Sequence, residues 1–164
     1  MQIGEGFAGD GPNAAHVNTV LGRKDGPVGT AWATALATPR QGHVPFVVVL
    51  RPNMAVKPAT LFVNKADIRS DLHAALTWGA AQAGVARGVL QAVADRVVPA
   101  GEVDELVLLA AVWVDWAADD EEDVYANNLS ATRDALAAGA EGRPRVEELL
   151  AAEGEPENPF SRSG

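Results

Sequence analysis

Four valines recur every four residues, at Val85, Val89, Val93 and Val97, and Leu90 lies on the same side. That spacing predicts one amphipathic helix over residues 80–98, closed by Pro99 and Gly101. The run Phe-Val-Val-Val-Leu at residues 46–50 has the opposite character. It is β-branched and continuously apolar, as a buried strand is. Strands and helices are mixed along the chain without strict alternation, so the expected class is α+β.

Residues 14–21 read as a strand and residues 22–26 as a charged turn. Residues 27–38 read as a helix that starts on a proline, carries an apolar face of Val28, Ala31, Ala35 and Leu36, and stops at Pro39. Pro52 and Pro58 bracket a loop, and residues 60–68 form a further strand. A helical stretch from Asp71 breaks or kinks at Trp78-Gly79. Residues 106–116 are ambiguous: Val112, Trp113 and Val114 favour a strand, while Leu108 to Ala111 tolerate a helix. An acidic turn at residues 119–123 precedes a helix over 124–138, whose negative first turn suits the helix dipole. A short last helix is expected at 145–152. The 164 residues favour a single domain, here residues 1–153, with residues 154–164 as a flexible tail.

Composition excludes several functions. The net charge of −9 repels a phosphate backbone, so no nucleic-acid partner is expected. The chain has no cysteine, which removes thiol catalysis, disulfides and thiolate metal sites and fits a cytoplasmic location. No apolar run reaches the ~20 residues needed to span a bilayer. The N-terminus lacks the basic and apolar segments of a signal peptide.

One stretch carries chemistry. Gly9-Asp10-Gly11-Pro12-Asn13-Ala14-Ala15-His16 is a glycine turn leading into an apolar segment with a histidine on it. Together with Gly4-Glu5, Asp25-Gly26-Pro27, Arg51-Pro52-Asn53, Lys57-Pro58-Ala59-Thr60-Leu61, Asn64-Lys65, Trp78-Gly79-Ala80-Ala81-Gln82, Gly84-Val85-Ala86 and Ala117-Ala118-Asp119-Asp120, it resembles the formaldehyde-activating enzyme family. The likeness covers roughly residues 3–140 and touches Asn158-Pro159-Phe160. No piece is specific alone; their order and spacing carry the resemblance.

The resemblance implies a mixed β-sheet with helices packed on one side, a fold like the second domain of certain ribosomal proteins, and decides residues 106–116 as a strand. It implies a homo-oligomer, a ring of five with the substrate site between neighbours. It implies the condensation of formaldehyde with a reduced pterin, tetrahydromethanopterin, as co-substrate, with loss of water and no covalently bound cofactor. His16 is the implied general acid, and a histidine titrates close to working pH. Asn18, Val47, Lys65, Asp67 and Gln82 fall on pterin-binding positions. No metal is expected, since neither His43 nor His73 has a partner at ligand spacing.

Two of these positions depart from the family pattern. Asn18 stands where relatives usually carry aspartate, and Asp67 where they often carry threonine. Residues Lys65 and Asp67 are expected on one face of their strand, with Asp67 a possible source of the charge that Asn18 lacks. Two other functions stay open: a non-catalytic relative that binds a pterin or another small ligand, and an enzyme condensing formaldehyde with a different amine.

Overall fold

The computed structural model describes residues 1–154. The expected tail lies outside the described residues from position 155 onward, as does the Asn158-Pro159-Phe160 match. Five strands form one mixed sheet in the order β1 (Gln2–Ala8), β2 (Ala15–Arg23), β7 (Leu106–Trp113), β6 (Ala59–Asn64) and β3 (Phe46–Val47). Neighbours are antiparallel except β6 and β7, which run parallel. A small hairpin, β4 (Val49–Arg51) with β5 (Met54–Ala55), follows β3. The α+β reading holds, and residues 106–113 are the strand that the resemblance required.

Side chains alternate across each strand. Val17, Thr19 and Leu21 of β2 and Leu108, Ala110 and Val112 of β7 are buried on one face. Two long helices cover that face, α3 (Gln82–Ala94) and α4 (Glu121–Glu141). Val85 and Val89 of the valine repeat enter the core, fully buried beside Val124 and Ala131 of α4. The helix ends at Ala94, earlier than the repeat suggested; Val97 and Val98 pack from the turn beyond it. The short α1 (Pro27–Ala37) meets the other face at its end, where Val28 lies against Gly22. Of the apolar face expected for α1, Val28 is buried, whereas Ala31 and Leu36 remain exposed.

Strand β1 is absent from the sequence reading, and its glycines are the reason. Gly4 and Gly6 look like breakers. Here they let the strand lie directly on α4: a Cβ on Gly4 would stand 1.7 Å from the carbonyl oxygen of Ala135, and one on Gly6 would stand 2.1 Å from that of Ala131. Gly9 and Gly11 then turn the chain into β2 with φ of +79° and +61°, a region L-residues rarely adopt.

Three other expectations need correction. The run 46–50 is divided at Val48, which pairs with Thr60 and Val56 through its backbone while the chain changes sheets. The stretch from Asp71 does not break at Trp78-Gly79, which lie instead in a widened turn of a continuous helix. α2 (Asp71–Ala75) continues through a π-helical turn, Leu76–Ala81, into α3. That wide turn buries Leu76, Thr77, Ala80 and Ala81 and leaves Trp78 exposed. Finally, β6 stops at Asn64. The Asn64 amide donates to the carbonyls of Gly42 and Ala66, and this bend separates Lys65 from Asp67. The acidic turn serves as a helix cap: Asp120 accepts a hydrogen bond from the Asp123 N–H, and α4 begins at Glu121. A short α5, Val146–Ala151, follows as expected.

Candidate active site

On the face that α3 and α4 do not cover, β2 presents His16, Asn18 and Val20. Register places Phe7 of β1 and Trp113 of β7 on either side of His16, and Glu5 beside Asn18. The Phe7 ring lies 6.5 Å from the imidazole. The His16 side chain keeps 23% of its surface exposed.

Two polar partners hold the ring. His16 Nε2 stands 3.0 Å from Oε1 of Glu5, and Nδ1 stands 3.3 Å from Nζ of Lys65. A carboxylate only accepts, so Nε2 carries the hydrogen in the neutral ring. Nδ1 then keeps a lone pair, and Lys65 donates to it. Lys65 also donates to the backbone carbonyl of His16, at 3.3 Å. It leaves the end of β6, its own N–H bonded to Val112 of β7, and reaches past that strand.

This setting moves both titrations. Burial pushes the His16 pKa below its usual value, and the Lys65 charge adds to that; the charge and hydrogen bond of Glu5 oppose it. Burial lowers Lys65 more strongly, from 10.5 to about 8, again with Glu5 opposing. Near neutral pH the ring is therefore a base that can take a proton, and the lysine is poised to lose one.

Of the other sequence candidates, Asn18 stays on this face beside Glu5, and the rest lie apart. Asn18 borders a cleft of about 600 Å³ along the outer edge of β1, with Ile3, Glu5 and Asp134. Val47 and Gln82 meet at the opposite edge of the sheet, in an apolar cleft of about 510 Å³ with Phe46 and Trp78. The Gln82 side-chain oxygen accepts from the Val49 N–H at 2.7 Å, so a ligand contact falls first to its NH₂ group. Three strand spacings, ~14 Å of sheet, separate this edge from β2. Asp67 points elsewhere again. Its carboxylate lies 3.0 Å from Nε2 of His43, whose Nδ1 faces the Asn64 carbonyl at 2.8 Å. The negative charge acting on His16 and Lys65 comes from Glu5, not from Asp67.

His73 is buried and bonds the Val114 carbonyl through Nε2. Among the described residues, no group of His, Asp and Glu is arranged to hold a metal ion.

Glu5, Phe7 and Trp113 carried no role in the sequence reading. Glu5 and Phe7 become legible once β1 is recognised, because alternate residues of a strand share a face.

An imidazole held between a carboxylate and an amine, on the half-open face of an α+β sheet, is the equipment of an acid–base enzyme. The chain belongs to the formaldehyde-activating enzyme family, whose model matches residues 3–161. It is 44% identical to a 5,6,7,8-tetrahydromethanopterin hydro-lyase of Methanosarcina barkeri over 159 residues, 97% of this chain and 89% of that protein. It is also 40% identical over 150 residues to a bifunctional enzyme, Fae/Hps, of Methanosphaera stadtmanae, and 38% identical over 150 residues to one of Methanosarcina mazei. These matches take 92% of this chain, which spans only 37% and 38% of the bifunctional proteins.

Proposed function

We propose that the chain condenses formaldehyde with tetrahydromethanopterin to the methylene adduct and water. The observation that carries this reading is the line Glu5–His16–Lys65. An amine adds to formaldehyde to give a carbinolamine, which must lose hydroxide to become an iminium ion; a second nitrogen traps that ion. Hydroxide leaves poorly, so the middle step needs a proton donor within reach. His16 takes that role once it has taken up a proton, with the Glu5 carboxylate stabilising and orienting the charged ring. Holding the reactants together lowers the barrier further, by up to ~7–11 kcal/mol in favourable cases.

Asn18, Val47, Lys65, Asp67 and Gln82 are proposed as pterin contacts. In one subunit Asn18 and the Val47–Gln82 pair border separate clefts on opposite sheet edges, while Lys65 stands beside His16 and Asp67 faces His43. A homo-oligomer, a pentamer in this reading, would set the Val47–Gln82 edge of one copy against the His16 face of the next. The exposed Trp78, Ile3 and Leu36 support such burial. Residues 1–153 form the catalytic domain in this proposal, with the tail beyond it. Among the described residues no helix is long and apolar enough to cross a membrane. A cytoplasmic location is proposed as well, which a chain without cysteine fits.

The test is direct: purified protein, formaldehyde and reduced tetrahydromethanopterin, with the uncatalysed rate subtracted. Turnover above background is expected. Its absence, with turnover on another secondary amine, would favour the different-amine reading; no turnover with any amine would favour the non-catalytic relative, for which the Asn18 and Asp67 departures argue.

A further inference from the structure

We infer that Lys65 is the amine that first captures formaldehyde, carrying it as a covalent carbinolamine and then an iminium ion before the pterin receives it. The pterin as acceptor rests on the function proposed above; the capture step does not.

The geometry favours attack by this nitrogen. A neutral lysine amine has two N–H bonds and one lone pair. Two acceptors, His16 Nδ1 and the His16 carbonyl, lie 3.3 Å from Lys65 Nζ. They satisfy both N–H bonds and leave the lone pair for an electrophile. The other two lysines of the chain are set differently. Lys24 lies 3.1 Å from a carboxylate oxygen of Glu105, and Lys57 is ion-paired with Asp104. Both of those amines stand against exposed carboxylates, not against a pair of acceptors like those around Lys65.

His16 also stands where the proton must travel. As the Lys65 nitrogen bonds to the carbon of formaldehyde, an amine proton passes through Nδ1 to the aldehyde oxygen. His16 then takes up one proton from solvent, and this imidazolium form, stabilised by Glu5, gives it to the new hydroxyl. The C–O bond breaks, water leaves, and Lys65 holds a protonated C=N bond to a CH₂ group. The first pterin nitrogen attacks that carbon, and its proton moves to the lysine nitrogen. The Lys65–carbon bond breaks, restoring the free amine, and the iminium now lies on the pterin. The second nitrogen closes on it and releases one proton, which balances the one used to expel water.

The lowered titration of Lys65 supports this role. At pH 7 an amine with a pKa of about 8 is about one-tenth free, against about one part in three thousand at 10.5. Glu5 from β1 and His16 from β2 are the charged or titratable groups acting on it.

The experiment exposes the wild-type protein to limiting formaldehyde and cyanoborohydride, and follows methylation of each lysine by peptide mass spectrometry. Lys65 should be methylated about tenfold or more faster than Lys24 and Lys57 at pH 7, with a rate that rises with a midpoint of about 8. Reduced pterin added before the reductant should protect Lys65 by a larger factor than the other two, which report simple scavenging of formaldehyde. Lys65→Arg keeps the charge but forms no such iminium. It should fall to the uncatalysed rate while its pterin affinity changes only a few-fold. Methylation of Lys65 no faster than of Lys24 and Lys57 overturns the inference, as does wild-type kcat in Lys65→Arg. If Lys65 is trapped selectively but the wild type never turns over with a pterin, capture stands and the identity of the acceptor fails.

Discussion

On β2, Val17, Thr19 and Leu21 point into the helices, while His16, Asn18 and Val20 stand on the other face. The two sets alternate along the same nine residues and obey different rules. The first set is at most 4% exposed and has no room for change. The second is half-buried. It is dry enough for burial to lower the His16 and Lys65 titrations and open enough for small reactants to arrive. The lesson is that reactivity here comes from incomplete burial, and the fully buried face exists to hold the other in place.

The largest expected effect falls on the reactive face. His16→Ala should lower turnover by ~10²–10⁴-fold, the range for a positioned proton donor, with little change in pterin affinity. The variant should stay folded, since its ring is outside the core. Turnover equal to wild type would remove His16 from the proposed mechanism. A substitution on the packed face should do the reverse. Gly6→Val would force a side chain into the backbone of α4 and should cost about 3 kcal/mol of stability or more, read from urea midpoints. An unchanged midpoint would mean that β1 and α4 are less tightly joined than described. The smallest effect is expected for Glu5→Gln. The Glu5 side chain is 58% exposed, so losing its charge should lower turnover only a few-fold, the worth of a solvent-screened ion pair, ~0–1 kcal/mol. Its signature is the His16 titration, which should move down because Glu5 holds it up; ring resonances from the three histidines would report this. An upward movement would contradict the pairing.

Much of this contrast could be read in the chain itself. The valine repeat specified the helix that covers the packed face, and β2 and α4 follow their patterns closely; α1 forms where expected but buries only Val28 fully of its apolar face, and β7 was decided by the resemblance. Local pattern failed where long-range contact decides the outcome. Gly4 and Gly6 reveal a strand only beside the α4 backbone, and the Asn64 amide ends β6 by reaching to Gly42. So it was with the site. His16 and Lys65 were legible through the family resemblance, but their contact spans 49 residues of sequence and depends on the order of β2, β7 and β6. Glu5 remained unread because its strand did.

The glycines of β1 have one more consequence: they act as a ruler. Only positions 4 and 6 lack a side chain where the strand touches α4, so β1 can be laid down in one phase. A slip of one residue would drive Glu5 or Phe7 into the carbonyls of Ala131 or Ala135, and the same slip would carry the carboxylate away from the imidazole. Correct folding and correct chemistry therefore share a single setting. A chain misaligned by one residue at β1 does not persist as a folded, silent enzyme, because it cannot close its core.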